Sequence, residues 1–206
     1  MGTTVRATKP PQPVATPAGL PLRVFTVDEY HAMINAGVFD GGRRCVLIRG
    51  MILEKPLPGP PHSTATQRLN RRLSSLFPET QWVVGIQDSI TLADSEPEPD
   101  CYVAVGPDSL YHDRHPGPKD LVLVVEVSDS SLSVDRGTML ALYASQKIVQ
   151  YWIVNVNDRR VEVYTQPRGG KNPTYKQQTN YGVNDEVPVM VAGKEMGRIS
   201  VRELLP

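Results

Sequence analysis

The sequence contains few cysteines, no long hydrophobic run and no excess of either charge. Only two of its 206 residues are cysteines, Cys45 and Cys101, and neither belongs to a CxxC pair. A disulfide framework or a zinc knuckle is therefore not expected. The 22 basic residues balance the 22 acidic ones, which excludes a polycationic nucleic-acid coat protein but allows a local basic patch.

Signals for export or membrane insertion are also missing from the sequence. The first 21 residues contain five prolines, and these interrupt every apolar run that could serve as a signal peptide. No segment reaches the roughly 18–20 consecutive apolar residues that a membrane span requires. We therefore expect a cytoplasmic protein without a membrane partner.

The distribution of proline and apolar residues predicts a tail followed by one domain. Residues 1–21 hold five of the 19 prolines and few large apolar side chains, which is typical of a disordered tail. Residues 22–206 have the length of a single folded domain. The 40% hydrophobic fraction of the whole chain is sufficient for such a core.

The hydrophobic pattern of this domain predicts both helices and strands. A capping box from Thr26 to Glu29 opens a short helix to about residue 36, and residues 44–54 form a hairpin. After a rigid proline-rich connection, helices are expected over about 63–77 and 135–146. Strands are predicted over 82–86, 89–92, 101–105, 121–127, 150–156 and 161–164, with peripheral strands after 167. This order indicates an α/β (α+β) fold with a mixed central sheet flanked by helices.

Two acidic residues beside predicted strands are the strongest candidates for a functional site. Asp100 immediately precedes the strand 101–105, and Glu126 lies inside the apolar strand 121–127. A buried carboxylate is costly unless a cation or hydrogen-bond donors compensate for the lost water. If the two strands are neighbours, both carboxylates meet at one edge of the sheet. Such a pair suits Mg²⁺, which keeps its other positions for water and phosphate.

The residues themselves leave a purely structural alternative open. Glu126 could pair with an arginine such as Arg136, while Asp100 could simply cap a loop. Tyr143, Tyr151 and Trp152 fall on apolar sides of their elements and are expected in the core.

Three stretches carry a resemblance to a known family. These are EPEPDCYVAV, HPGPKDLVLVVEVSDSSLSVDRG and LALYASQKIVQYWIVN. They resemble the Uma-two family of restriction endonucleases, a branch of the PD-(D/E)XK nuclease superfamily. The resemblance extends over roughly residues 23–165, and it implies a restriction-endonuclease-like fold.

The resemblance also implies the function and the roles of single residues. It implies a Mg²⁺-dependent (or Mn²⁺-dependent) DNA endonuclease, expected to act as a homodimer without a small-molecule cofactor. Asp100 and Glu126 match the family's metal ligands, and the Val127 carbonyl would complete the protein's share of the coordination. His62 matches a histidine near the site. Bound Mg²⁺ would polarise the scissile phosphate and lower the pKa of the attacking water.

The chain departs from the family at the lysine that stabilises the attacking hydroxide. Met139 stands at the position that this lysine usually occupies, and Ser128 occupies the alternative position directly after Glu126-Val127. The nearby Arg136 could supply part of the missing charge. The alternative is a catalytically inactive nuclease fold that binds nucleic acid or protein.

Three arginines on the second predicted helix form a candidate nucleic-acid surface. Arg68, Arg71 and Arg72 lie on the side opposite the apolar residues of the helix. They could follow the phosphates of DNA. Equally, they could form an ordinary solvated face.

Overall fold

The computed structural model describes residues 20–40 and 44–206. Contacts divide the chain into two compact units: a smaller one that ends at Leu57 and includes Thr91–Pro97, and a larger one with Pro58–Ile90 and Glu98–Pro206. The predicted tail over residues 1–21 lies outside the described residues except for its last two. Within the described ranges, no helix is long and apolar enough to cross a membrane.

In the smaller unit, the predicted first helix is confirmed together with its capping box. Helix α1 spans Val27–Asn35. The Glu29 N–H donates to Thr26 Oγ1 (3.2 Å), and the Thr26 N–H donates to the Glu29 carboxylate (3.0 Å). These bonds satisfy two amide groups that lack partners within the helix, so they fix where the helix starts.

The predicted hairpin is also present in the smaller unit. Strands β1 (Cys45–Ile48) and β2 (Met51–Glu54) pair antiparallel. Arg49 and Gly50 form the turn between them, with φ angles of 49° and 75°. Positive φ at both central residues gives a turn whose twist matches that of the two strands.

A mixed six-stranded sheet forms the centre of the larger unit. Its strands follow one another in the order β3 to β8, and only the β5–β6 pair is parallel. The strands are β3 (Trp82–Gly85), β4 (Cys101–Val105), β5 (Leu121–Ser128), β6 (Gln150–Asn155), β7 (Arg160–Arg168) and β8 (Thr174–Gly182). The predicted strands over 82–86, 101–105, 121–127, 150–156 and 161–164 correspond to β3–β7.

One face of the sheet packs against helix α2 (Pro60–Leu76). Ala65, Leu69 and Leu73, spaced four residues apart, are fully buried in the core that they share with β4, β5 and β6. The helix starts earlier than the predicted residue 63. Pro60 and its successor occupy the first turn, where an amide hydrogen bond is not needed, so they belong to the helix rather than to the connection.

The carboxyl-terminal segment adds a hairpin to the same core. Strands β9 (Glu186–Val191) and β10 (Lys194–Ser200) pair antiparallel, and α5 (Val201–Leu204) follows directly. Buried side chains of these elements, Val187, Val189, Ile199, Val201 and Leu204, extend the α2 core. The predicted peripheral strands are thus confirmed.

Two local predictions were wrong. Residues 89–92 form no strand, because the chain turns there and the Leu92 N–H bonds to the Ser95 carbonyl (2.8 Å). The predicted helix over 135–146 is divided into three parts: α3 (Leu132–Val134), a π-helical turn (Asp135–Met139) and α4 (Leu140–Ser145). The π turn arises because the Leu140 N–H reaches back five residues to the Asp135 carbonyl.

Candidate active site

The register between β4 and β5 brings Asp100 and Glu126 together. The strands are antiparallel, and Cys101 faces Val125, so the residues beyond this pair lie side by side. The main-chain N–H of Asp100 donates to Glu126 Oε2 (3.3 Å). Both residues are buried, with 4% and 7% exposure.

The Asp100 carboxylate is held by three neighbouring elements. Its Oδ2 accepts from the Val127 N–H of β5 (2.8 Å) and lies 3.0 Å from Nε2 of His62 on α2. Its Oδ1 accepts from the side-chain amide of Gln87, just after β3 (3.3 Å). Each contact comes from a different part of the fold, so the orientation of the carboxylate is fixed by packing that is distant in sequence.

A glycine in β3 leaves room for a tyrosine ring of the neighbouring strand β4. A Cβ on Gly85 would lie 2.0 Å from the ring of Tyr102, so only glycine leaves room for this ring. The Tyr102 hydroxyl donates to Asp88 (3.1 Å), and burial raises its pKa, with the Asp88 charge adding to the shift. Gln87, between these residues, also donates its main-chain N–H to the Asp100 carbonyl (3.3 Å).

His62 lies in the first turn of α2, where the helix dipole favours negative charge. Thr66 Oγ1 donates to the His62 carbonyl one turn earlier in the helix (2.9 Å). The His62 side chain is 15% exposed, whereas that of its partner Asp100 is 5% exposed. The ring therefore contacts the buried carboxylate and is partly exposed to solvent, and a role of His62 in catalysis stays a prediction.

Tyr143 of α4 holds the second carboxylate, that of Glu126. Its hydroxyl donates to Glu126 Oε1 (2.7 Å) in a fully buried position. Burial raises the pKa of this hydroxyl well above its usual value, and the nearby Glu126 adds to the effect. The prediction that Tyr143, Tyr151 and Trp152 belong to the core is confirmed, since all three are fully buried. The hydrogen bond to Glu126 was not foreseen.

Asp135 is a further buried acidic residue, and sequence reasoning did not single it out. Its side chain is 5% exposed, and Oδ2 accepts from the Ser131 hydroxyl (2.5 Å). Burial raises the pKa of Asp135 to about 6, and the Asp100 charge also raises it, while the hydroxyls of Ser131 and Ser128 and the His62 ring lower it. The only sequence signal was its place beside Arg136 in the family motif.

Arg136 binds a carboxylate other than the two predicted metal ligands. Its guanidinium donates to both carboxylate oxygens of Glu162 in β7 (2.9 and 2.5 Å), and it lies 3.9 Å from Asp158. The alternative in which Glu126 pairs with an arginine such as Arg136 stays a prediction. A catalytic role of Arg136 stays a prediction, because its guanidinium is bound to Glu162.

Glu162 is a fully buried carboxylate with a complete set of donors. Besides Arg136, it accepts hydrogen bonds from Asn155 (3.1 Å), Tyr164 (2.8 Å) and Arg160 (3.2 Å). Burial alone would raise the pKa of Glu162, but the bonds from Arg136, Asn155 and Tyr164 outweigh it and lower the pKa to about 2. This cluster anchors the π turn to β7.

The three predicted nucleic-acid-binding arginines lie together, but not beside the carboxylates. Arg68, Arg71 and Arg72 line a pocket on α2 together with Glu203 of α5. Arg72 pairs with Glu203 (2.8 Å), and Arg68 donates to the Leu205 carbonyl. Their role in binding nucleic acid stays a prediction.

Asp100 and Glu126 offer carboxylate oxygens, which are the kind of ligand that Mg²⁺ prefers. Within residues 20–40 and 44–206, no three or more His, Cys, Asp or Glu side chains are arranged to hold a metal. Two carboxylates suffice for Mg²⁺, which uses one or two carboxylates and keeps several water ligands.

Comparisons with known proteins agree with this fold. The family model Uma2 (Uma-two), described as "Putative restriction endonuclease", matches residues 27–196. A crystal structure described as that of a putative nuclease from Anabaena variabilis superposes with a TM-score of 0.65. Its sequence is 16% identical, and the match covers 87% of this chain and 97% of the other. No curated protein matches the sequence.

The family match covers well over half of the chain, so the chain belongs to the Uma2 family. The superposition shows the same fold, with a six-stranded mixed sheet at its centre. Both findings confirm the resemblance and the fold class that the sequence predicts.

Proposed function

We propose that this Uma2-family protein is a Mg²⁺-dependent DNA endonuclease that hydrolyses phosphodiester bonds. Family membership supports a nuclease. The single observation that carries the proposal is the proximity of two buried acids, Asp100 and Glu126: the main-chain N–H of Asp100 donates to Glu126 Oε2 (3.3 Å). Buried acids that converge at the end of adjacent strands are an expensive arrangement, and binding a divalent cation would compensate for its cost.

Asp100 and Glu126 would hold the cation, and the Val127 carbonyl is the third candidate ligand. Bound Mg²⁺ (or Mn²⁺) would polarise the scissile phosphate and lower the pKa of the attacking water. The protein holds both carboxylates in place before any ligand arrives. Val127 N–H and Gln87 orient Asp100, while Tyr143 orients Glu126. Little reorganisation is then required when the substrate binds, and such preorganisation supports catalysis.

His62 is placed so that it can contact both the substrate and the Asp100 carboxylate. Its Nε2 bonds to Asp100, and its ring remains in contact with solvent. A phosphodiester bound beside Asp100 would therefore meet the imidazole edge. We expect His62 to orient Asp100 and to contact the phosphate.

The arginine pocket supplies a surface for flanking phosphates of the DNA. Arg68, Arg71 and Arg72 lie one to three turns along α2 from His62, and Glu203 offsets part of their charge. Each phosphate contact that is lost should reduce the salt dependence of DNA binding by about one unit of slope. Arg71→Ala should show this reduction, whereas Arg198→Ala on strand β10 should not.

A second candidate function is supported by one specific observation. Met139 occupies the position of the family's lysine, and the neighbouring Arg136 is bound to Glu162. A protein without a cation at this position could bind nucleic acid or protein without cleaving it. Loss of one electrostatic stabiliser typically costs about 10²–10³ in rate, so activity must be measured with high sensitivity.

The first experiment is thermal unfolding of the full chain with and without Mn²⁺ or Mg²⁺. At a concentration of 100 times Kd, metal binding should stabilise the protein by about 2.7 kcal/mol. Asp100→Asn and Glu126→Gln should abolish this rise in Tm, whereas Asp113→Asn, an exposed aspartate, should retain it. Absence of any metal-dependent rise in the wild type would overturn the metal site.

The second experiment separates the two functions by using plasmid DNA. Binding is measured in Ca²⁺, and cleavage is measured in Mg²⁺ and Mn²⁺. Cleavage that disappears in Asp100→Asn supports the endonuclease. Retained metal and DNA binding without cleavage would select the binding protein. Sedimentation of the free and DNA-bound protein tests the expected homodimer.

A further inference from the structure

The turn between β6 and β7 lies at the end of the sheet where β5 stops. Strands β5 and β6 are parallel, and Ser128, the last residue of β5, faces Asn155, the last residue of β6. The Val156 N–H then donates to the Ser128 carbonyl (3.0 Å), which ties the start of the turn to β5. Glu126 lies two residues before Ser128, about 7 Å along the strand, so the turn is close to the candidate active site.

The register of three strands places Glu162 on the same face of the sheet as Glu126. Glu126 of β5 faces Ile153 of β6, and Ile153 faces Glu162 of β7. Residues that face each other across paired strands point to the same side of the sheet. Two strand spacings of about 4.8 Å separate the two acids by about 10 Å. This is about the length of three nucleotides, since phosphates follow one another every ~3.4 Å along the axis of each DNA strand.

Two arginines bound to Glu162 retain N–H donors for a ligand. Arg136 donates Nε and Nη2 to Glu162 (2.9 and 2.5 Å). Arg160 donates Nε to Glu162 (3.2 Å) and Nη2 to Asp158 (2.8 Å). Among the described residues, no acceptor bonds to Nη1 of either side chain, and the two side chains are 37% and 33% exposed. A guanidinium has five N–H donors, so each can still bond a phosphate oxygen.

Arg159, in the turn itself, adds a third guanidinium to this cluster. It is exposed, and within residues 20–40 and 44–206 its side chain has no hydrogen-bond or ion-pair partner. The two other arginines are balanced by the two acids that they bind, so the cluster of three arginines and two acids carries one positive charge in excess. This excess charge favours an anionic ligand.

Hydrogen bonds within the turn hold the main chain at Arg159. Asn155 accepts from the Asp158 N–H (2.9 Å) and donates to the Asp158 carboxylate (3.1 Å). The Asn157 side chain donates to the Asp129 carbonyl, which joins the turn to the residue that follows β5. The turn therefore needs little ordering when a ligand binds, and this favours affinity.

We propose that the turn between β6 and β7 is a phosphate-binding surface, on which Arg159 holds the DNA backbone beside the metal site. The remaining donors of Arg136 and Arg160 bond the same stretch of backbone. This inference rests on the proposed function, because it takes DNA as the ligand, and it adds a contact that the sequence did not indicate. Arginine suits this role, since its planar fork bonds two oxygens of one phosphate and its charge is permanent. Arg159 contacts a phosphate that flanks the scissile one.

Binding of a fluorescently labelled DNA duplex in Ca²⁺, measured over about 50–200 mM salt, tests this surface. Arg159→Ala should lower the affinity about 10-fold, the effect of one charge-assisted hydrogen bond. It should also reduce the slope of log K against log salt by about one. Arg159→Lys should keep the slope, because the charge remains. The matched control is Arg168→Ala, which should bind like wild type, since Arg168 is exposed at the opposite end of β7.

Kinetics and stability separate this contact from the metal site. Arg159→Ala should keep the Mn²⁺-dependent rise in Tm, because Asp100 and Glu126 stay in place. It should raise KM for plasmid DNA more than it lowers kcat, since a flanking contact is present in the ground state and the transition state alike. Arg159 has a φ angle of 52°, in the left-handed region that favours glycine. Arg159→Gly should therefore fold and lose the same affinity as Arg159→Ala.

Wild-type affinity and salt slope in Arg159→Ala would overturn the inference. Equal losses in Arg159→Ala and Arg168→Ala would also overturn it, because they would reflect net charge rather than a local contact. Either result leaves the proposed metal site intact if Mn²⁺ still raises the Tm of the wild type. Conversely, a reduced slope in Arg159→Ala without any metal-dependent rise in Tm would refute the metal site and support the DNA surface. A wild type that does not bind the duplex would overturn both.

Discussion

Replacing Glu162 by glutamine tests whether the buried ion pair with Arg136 stabilises the fold. Glu162→Gln keeps the size of the side chain and removes its charge. The Arg136 guanidinium, which donates to both oxygens of Glu162, then loses its carboxylate. Removing one partner of a buried pair is costly, because the other charge stays behind without compensation.

The pKa of Glu162 gives the size of the effect. It is lowered from 4.5 to about 2, and each unit corresponds to about 1.36 kcal/mol. The charged form is therefore favoured by about 3 kcal/mol in the folded state. The Arg136 side chain is 37% exposed, so water supports part of its charge, and we expect Glu162→Gln to lose about 2–3 kcal/mol at pH 7.

The sign of the pH dependence follows from the lowered pKa. A carboxyl group with a folded pKa below its unfolded value stabilises the protein above the unfolded pKa, here about 4.5. This contribution is lost as the pH falls towards about 2. The free energies of unfolding of wild type and Glu162→Gln should therefore differ at pH 7 and converge below pH 4.5.

Urea unfolding at pH 7, 5, 4 and 3 measures this difference. Glu195→Gln is the matched control, since Glu195 pairs with Arg198 at the surface and is 41% exposed. Such exposed pairs contribute about 0–1 kcal/mol. A loss below about 0.5 kcal/mol for Glu162→Gln, unchanged between pH 7 and pH 3, would refute the reasoning.

Two further predictions concern stability. Burial raises the pKa of Asp135 from 3.8 to about 6, so this acid destabilises the fold as the pH rises through that window. Asp135→Asn should therefore raise the free energy of unfolding by up to about 3 kcal/mol at pH 7, measured by urea unfolding at pH 4 and 7. An equal gain at both pH values would contradict this prediction. Gly85→Ala should lower Tm and cost at least about 1–3 kcal/mol, because its Cβ would lie 2.0 Å from the Tyr102 ring, and an unchanged Tm would exclude this contact.

The sequence predicted those elements whose signals are local. The capping box at Thr26 and Glu29 fixed the start of α1, and alternating or continuous apolar runs located the strands of the central sheet. Adjacent placement of Asp100 and Glu126 followed from a single assumption, that their strands are neighbours, and the register of β4 with β5 confirms it. These features depend on short segments and simple periodicity.

The rest of the site depends on contacts between residues distant in sequence. Arg136 has a partner 26 residues away in β7, and nothing in its local pattern distinguishes Glu162 from Glu126 as that partner. Residues 89–92 have the composition of a strand, yet Ile90 and Leu92 are buried without a partner strand. Tertiary packing decided both cases, and a single sequence does not carry that information.

The π turn explains how Asp135 and Tyr143 both come to contact the central sheet. A π turn takes about one residue more than an α turn, so one turn of each together takes about eight residues. Asp135 and Tyr143 are eight residues apart. The Asp135 carbonyl accepts from the Tyr151 hydroxyl of β6 (3.1 Å), and the Tyr143 hydroxyl donates to Glu126 of β5. In an uninterrupted α-helix, the same two positions would have diverged.

A lysine at position 139 tests whether this position limits cleavage. Met139 ends the π turn and is half-buried. Lysine fits the space of a methionine, because both side chains are long and unbranched, and its ammonium group can extend towards solvent. If the site is otherwise complete, Met139→Lys should raise Mg²⁺-dependent cleavage of plasmid DNA by about 10²-fold, the usual worth of one electrostatic stabiliser. The double variant with Asp100→Ala should stay inactive because it lacks a proposed metal ligand, and an unchanged rate in Met139→Lys would mean that position 139 does not limit the reaction.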